Sequence, residues 1–169
     1  MSHSKTHTFS AIEVLGQKVR ALLQLLKFRL SLLVAVSAVF GYAIAAGEQD
    51  SAMLAWMIGL GGFMITGASN ILNQIAEKDY DKLMRRTAQR PLPEDRLSIA
   101  SALIYALLLA ITGIAMIGYF FNLAAGLLGV IALLSYAFVY TPLKRIGSVA
   151  VFIGAIPGAL PPLIGWVAV

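Results

Sequence analysis

Three carboxylates crowd into five residues, at Glu77, Asp79 and Asp81, and three arginines follow at Arg85, Arg86 and Arg90. They lie in the stretch Asn70 to Ser98, NILNQIAEKDYDKLMRRTAQRPLPEDRLS, which continues directly from an apolar run. Helical residues advance by about 100° each. On that spacing Asn70, Asn73, Glu77 and Asp81 share one narrow face, and Asp79 points the opposite way unless the helix unwinds. Two carboxylates and two amides so aligned are hard oxygen donors of the kind magnesium takes, usually one or two carboxylates with substrate phosphates and waters. Arginine presents a planar fork that matches phosphate oxygens. Acids that hold a metal beside arginines that hold phosphate suit a diphosphate, whose charge is too high for either group alone. No glycine-rich phosphate loop of the Walker type is present, which argues against nucleotide hydrolysis. A solvated loop would explain the bases, because basic residues collect on cytoplasmic membrane loops. It would not explain the acids, or two amides near the end of an apolar helix, where unpaired amides are costly.

The elements that must position these groups are membrane helices. Of 169 residues, 59% are hydrophobic and 12% charged, against roughly half and a quarter in soluble domains; the mean hydropathy is +0.83. Five runs approach the roughly 20 apolar residues that cross a bilayer: Leu30–Ala46, Ala52–Leu72, Ile99–Phe121, Leu123–Val139 and Val149–Val169. None contains a charge. The net charge of +5 does not point to nucleic acid, because the bases sit in short clusters between the runs. Lys5, Lys18, Arg20, Lys27 and Arg29 precede the first span, six Lys or Arg lie in 75–98, and Lys144 and Arg145 precede the fifth. The intervening connections carry Glu48 and Asp50, or no charge. The positive-inside rule then places the N-terminus and the 75–98 loop in the cytoplasm, as expected of a multi-pass protein of the cell inner membrane.

The first 29 residues are too long and polar a lead for a signal peptide. Within them Ile12, Leu15, Val19, Leu22, Leu23 and Leu26 recur at helical spacing, which predicts an amphipathic helix in the interface. The division expected is therefore 1–29 as cytoplasmic lead and 30–169 as transmembrane domain, with 75–98 its catalytic loop. Val169 lies inside an apolar run, so a truncated chain is expected. There is no cysteine, which excludes disulfides and thiolate sites. His3 and His7, the only histidines, fall in the polar lead and read as solvated surface. Gly147, Gly154, Gly158 and Gly165 are spaced by seven, four and seven. They predict a face of close helix approach, and Pro157, Pro161 and Pro162 predict a bend there.

Asn73, Glu77 and Asp81 resemble the first aspartate-rich motif, N-x3-D-x3-D, of the UbiA-type intramembrane prenyltransferases, with glutamate in the middle place. Met84 to Pro93 resembles the M-x-R-T-x-x-R-P-L-P signature of that superfamily's protoheme IX farnesyltransferase branch. Tyr140 to Arg145 resembles its Y-T-P-L-K-R turn, and Gly154 to Pro162 its G-A-x-P-G-A-x-P-P helix. The resemblance covers the chain from about residue 25. It implies an all-α membrane bundle of nine helices, five of them here, with a second aspartate-rich motif and haem-handling histidines beyond Val169, so that this stretch alone would be inactive. It implies Mg2+ held by Asn73, Glu77 and Asp81, and diphosphate contacted by Arg86, Arg90, Lys144 and Arg145. Tyr140 would face an allylic cation. The implied substrates are farnesyl diphosphate and haem B, joined to give haem O. A related enzyme acting on a quinone-precursor ring, or a non-enzymatic membrane assembly protein, is the competing expectation.

Overall fold

The computed structural model describes residues 11–49, 51–144, 147 and 149–169. Every regular element in them is helical. Helix α1 spans Ala11–Leu25, α2 Phe28–Ala46, α3 Ala52–Leu83, α4 Ile99–Phe120 and α5 Leu123–Leu134. A π-helical stretch, Ser135–Tyr140, continues α5 into the short α6, Thr141–Leu143, and α7 runs Val149–Val167. Among the described residues, five helical segments are long and apolar enough to cross a membrane: α2, α3, α4, the α5-to-α6 segment and α7. His3, His7 and Arg145 lie outside the described residues.

The five segments close into a ring: α2 packs on α3, α3 on α4, α4 on α5, α5 on α7, and α7 back on α2. Outward faces are apolar throughout, as on Phe40, Trp56, Ile111 and Phe152. A hydrophobic face has nothing to gain from hiding in lipid, so small residues and short-range fit join the helices. At Gly41 an added Cβ would collide with the Pro162 carbonyl oxygen, and at Gly165 with that of Ala38. Two glycines from facing helices thus bring α2 and α7 together. The glycine face expected of the last span divides among uses: Gly154 meets the Tyr140 ring, Gly158 faces open space, and Gly147 precedes the helix. Pro157, Pro161 and Pro162 lie within α7, which remains one helix.

Helix α3 is the axis of the site. At 1.5 Å per residue its 32 residues run roughly 48 Å, well beyond the ~30 Å hydrocarbon layer. The acidic segment is therefore continuous helix to Leu83, and the loop expected from residue 75 begins at Met84. Non-helical backbone starts where Thr87 donates its hydroxyl to the Asp81 carbonyl at 3.0 Å, taking up an acceptor the ending helix leaves free. Pro91, Leu92 and Pro93 are then buried, and Leu92 joins Leu25, Ile71 and Ala102 in a small core beneath the loop. Two apolar clusters result, this one at the charged end and a larger one within the ring.

Candidate active site

Asn73, Glu77 and Asp81 come out on one side of α3, as their spacing requires. Asn73 and Asp81 are almost fully buried. Asn73 Nδ2 donates to Glu77 Oε2 at 2.9 Å. Asn73 Oδ1 accepts from Thr141 Oγ1 at 3.0 Å and from Lys144 Nζ at 3.1 Å. Lys144 Nζ also lies 2.7 Å from Glu77 Oε1, and 5.7 Å from the Tyr140 ring centre. Asp81 Oδ2 accepts from Arg90 at 2.7 Å. Each acid is thus held by one base, and each base comes from a different segment. Asp79 is exposed; α3 stays regular, and its carboxylate takes no part.

The loop places Arg90 through its neighbours. Pro91–Pro93 pin it to the core, and the Arg96 guanidinium donates to the Gln89 carbonyl at 2.7 Å and to Gln24 of α1 at 3.2 Å. Arg86, expected beside Arg90, is exposed and makes no hydrogen bond or ion pair among the described residues. Asn70, one turn before Asn73, faces elsewhere: its amide donates to the Leu26 carbonyl and to Ser31 Oγ.

Of four further participants, Thr141, Tyr136 and Lys27 carry no site role in the sequence reading, whereas Tyr140 is expected there to face the allylic cation. Thr141 is buried, and its hydroxyl bridges Asn73 and the Tyr136 carbonyl, at 3.0 and 2.8 Å. A hydroxyl beside a proline in the Tyr140-to-Arg145 motif was its only signal. Tyr136 and Tyr140 sit four residues apart on the π-helical stretch, ring centres 5.4 Å apart. π-Helical turns are rare and recur at functional sites, but no residue pattern announces one. Lys27 is half-buried on the turn before α2. Burial pushes its ammonium down from 10.5 to about 8, with Arg90 and Lys144 adding to the fall and Glu77 and Asp81 opposing it.

Just inside the ring from this cluster lies a cavity of about 530 Å³. Its walls are Leu30 and Val34 of α2, Ile65 of α3, Ala132 of α5 and Pro157 and Pro161 of α7. Asn70, Tyr136 and Tyr140 also line it, and the Lys144 ammonium lies over the Tyr140 ring. An apolar chamber joined in this way to a cluster of acids and bases suits a molecule with an apolar tail and an anionic head. The donors also suit magnesium: Asn73 Oδ1 and two carboxylates are hard oxygens on one face. Among the described residues no three acids or histidines gather into a protein-only cage, in keeping with an ion that shares its ligands with phosphate.

The chain belongs to the UbiA prenyltransferase family, which it matches over residues 34–169. Its similarity is to the protoheme IX farnesyltransferases. That of Cytophaga hutchinsonii is 44% identical over 155 residues, covering 92% of this chain and 54% of that one. That of Myxococcus xanthus is 42% identical over 149 residues, 88% of this chain and 50% of that one. The chain thus spans about half the length of these relatives. Among solved structures, digeranylgeranylglyceryl phosphate synthase superposes with a TM-score of 0.79 at 22% identity, over 89% of this chain and 53% of that one. A UbiA homologue from Archaeoglobus fulgidus, bound to DMAPP and Mg2+, gives 0.69 at 18%, over 87% and 52%. At such identities these two speak for the fold.

Proposed function

We propose that this chain forms the diphosphate-binding half of an enzyme that transfers the farnesyl group of farnesyl diphosphate to the vinyl group of haem B, giving haem O. The observation that supports it is the cluster of Asn73, Glu77, Asp81, Arg90 and Lys144, joined through Lys144 to the ring of Tyr140, which lines the apolar cavity. The similarity to protoheme IX farnesyltransferases supports the choice of substrates. Asn73, Glu77 and Asp81 would hold Mg2+, which supplies positive charge against the departing diphosphate.

The remaining work belongs to the chain's own groups. Breaking the allylic carbon–oxygen bond leaves its electron pair on diphosphate and an electron-poor carbon behind. Arg90 and Lys144, fixed at the acids, oppose the charge growing on the phosphate oxygens, where preorganised electrostatics has its largest effect. The Tyr140 ring, with Tyr136 beside it, presents π-electrons to the carbon. The apolar walls keep water from the allylic cation until the carbon–carbon bond forms. The vinyl group supplies the electrons of that bond, and the cation left on its inner carbon then takes a water molecule, which loses a proton and leaves the hydroxyl of haem O. Arg86 and Arg145 are assigned to diphosphate on the motif alone. The alternation of basic and acidic connections supports placing Lys27, Arg90 and Lys144 on the cytoplasmic side of the cell membrane.

The test is haem O formation by the full-length protein in lipid nanodiscs, given haem B and farnesyl diphosphate across a magnesium titration. Product that needs both substrates and magnesium is expected. Prenylation of an aromatic quinone precursor in place of haem would overturn the acceptor.

A further inference from the structure

The turn between α1 and α2 is held in a conformation its own residues disfavour. Lys27 has φ 46° and ψ 57°, the left-handed region that side chains seldom enter and glycine enters freely. Buried side chains from the next two helices enforce it. Gln74 Nε2 donates to the Leu25 carbonyl at 2.7 Å, and Asn70 Nδ2 to the Leu26 carbonyl at 3.3 Å. Ser31 Oγ donates to that same Leu26 carbonyl at 2.6 Å and accepts from Asn70 at 3.2 Å. Leu25, Ser31, Asn70 and Gln74 are all at most 1% exposed. Burying two amides is costly; their nitrogens lock the two residues before Lys27, while the buried Gln74 Oε1 has no hydrogen-bond partner among the described residues. Backbone strain persists only where surrounding structure over-determines it, and it concentrates at functional sites.

The locked lysine directly follows the Leu26 carbonyl held by Asn70, one turn before Asn73 on α3, and both Asn70 and Leu30 line the cavity. The charges that act on it are Arg90, Lys144, Glu77 and Asp81. Arg90 pairs with Asp81 and Lys144 with Glu77, whereas Lys27 has no ion pair among the described residues. Three cations therefore face two acids, and the surplus positive charge is the one placed by the strained turn.

We propose that Lys27 is a third phosphate-contacting cation of this site, and that Asn70 and Gln74 are positioning residues that act through it. The assignment rests on the diphosphate reading above. Its function is carried by the ammonium and its cost by the backbone, so one substitution separates them. Lys27→Gly removes the charge and relieves the strain.

The experiment is calorimetric binding of inorganic diphosphate with Mg2+ to the full-length protein in nanodiscs, with a melting curve for each variant. Lys27→Gly is expected to melt at or above the wild-type temperature yet bind about tenfold more weakly, as loss of one charge-assisted contact implies. Lys27→Arg should bind within a few-fold of wild type. Gln74→Met, or Asn70→Leu should the first fold poorly, should weaken binding alone but add nothing to Lys27→Gly, because coupled residues are not additive. Unchanged binding in Lys27→Gly, with binding lost in Asp81→Asn, would overturn the assignment and leave the metal–diphosphate site standing. Unchanged binding in both would remove the site itself. An effect of Lys27→Gly confined to the KM for haem would assign the ammonium to acceptor carboxylates and overturn the phosphate role. Additive losses in the double variant would overturn the positioning role of the two amides.

Discussion

Lys144 lies 2.7 Å from Glu77 Oε1 and 3.1 Å from Asn73 Oδ1, so one ammonium from the end of the fourth span is shared by two polar groups one turn apart on α3. The acid that would bind metal and the cation that would bind phosphate already touch. Asp81 and Arg90 repeat the arrangement one turn further along. A charged loop that merely balanced its own residues would not draw partners from three segments.

The sharpest contrast is between neighbouring acids. In the full-length protein Asp81→Asn should lower farnesyl transfer by about a hundred- to a thousand-fold, the usual cost of removing a group that acts on leaving-group charge. It should also shift the magnesium requirement upward. Asp79→Asn should stay within about twofold, because that side chain is exposed on a regular helix and exposed pairs are worth little. Rates against magnesium concentration at matched protein levels check this, and equal effects of the two variants would remove the distinction.

Thr141 gives a second test. Thr141→Val keeps the shape but leaves Asn73 Oδ1 with one donor fewer in a buried place. A stability loss of about 1–3 kcal/mol is expected for such an unmet acceptor, with a weaker magnesium response from a misoriented Asn73. Thr141→Ser should restore both, read by thermal unfolding and by turnover against magnesium. Equal behaviour of the valine and serine variants would show that the hydroxyl does not orient the site.

Much of this was legible in the residues, and the reason is periodicity. Five uncharged runs of about twenty residues admit few structures in lipid, and a spacing of three to four residues puts Asn73, Glu77 and Asp81 on one face whatever packs around them. What could not be read depends on partners far along the chain. Asn70 shares that face by spacing, yet its amide goes to the Leu26 carbonyl, 44 residues away. Arg86 and Arg90 are equal members of one motif. Only the burial of Pro91–Pro93 turns Arg90 inward and leaves Arg86 exposed. Lys27 looked like one more base before a span, because a left-handed backbone imposed by α3 leaves no local mark. The π-helical turn under Tyr136 and Tyr140 is equally silent.

The crossing of α2 and α7 should be intolerant of volume. Gly41→Ala sends a methyl group into the Pro162 carbonyl, and Gly165→Ala into that of Ala38. Backbone cannot yield as a flexible side chain does, so the helices must separate, at about 1–3 kcal/mol for overpacking of this kind. Gly158→Ala, whose Cβ meets nothing within 4 Å, should fold normally. Thermal unfolding in one detergent ranks the three. Equal stability of Gly41→Ala and Gly158→Ala would contradict the close approach.

The last prediction concerns pH. In the unliganded protein Lys27 titrates near 8, against 10.5 in an unfolded chain. Between those values the unfolded state holds the proton and the folded state does not, so stability should rise with pH from about 8 to 10.5. Below 8 both states are protonated and the term is constant. Diphosphate binding has the opposite sign. An anion favours the ammonium, so above pH 8 each binding event must take up a proton at Lys27, and affinity should fall by at most about tenfold per pH unit. The groups facing Lys27 are Arg90, Lys144, Glu77 and Asp81; diphosphate itself also titrates, so the measured quantity is a difference. Wild type and Lys27→Gly are compared from pH 7 to 10 by denaturation and by calorimetry in buffers of differing ionisation enthalpy. The wild type alone should gain relative stability, lose relative affinity and show the extra proton uptake. Parallel profiles for the two proteins would mean that Lys27 carries no titrating charge at the site.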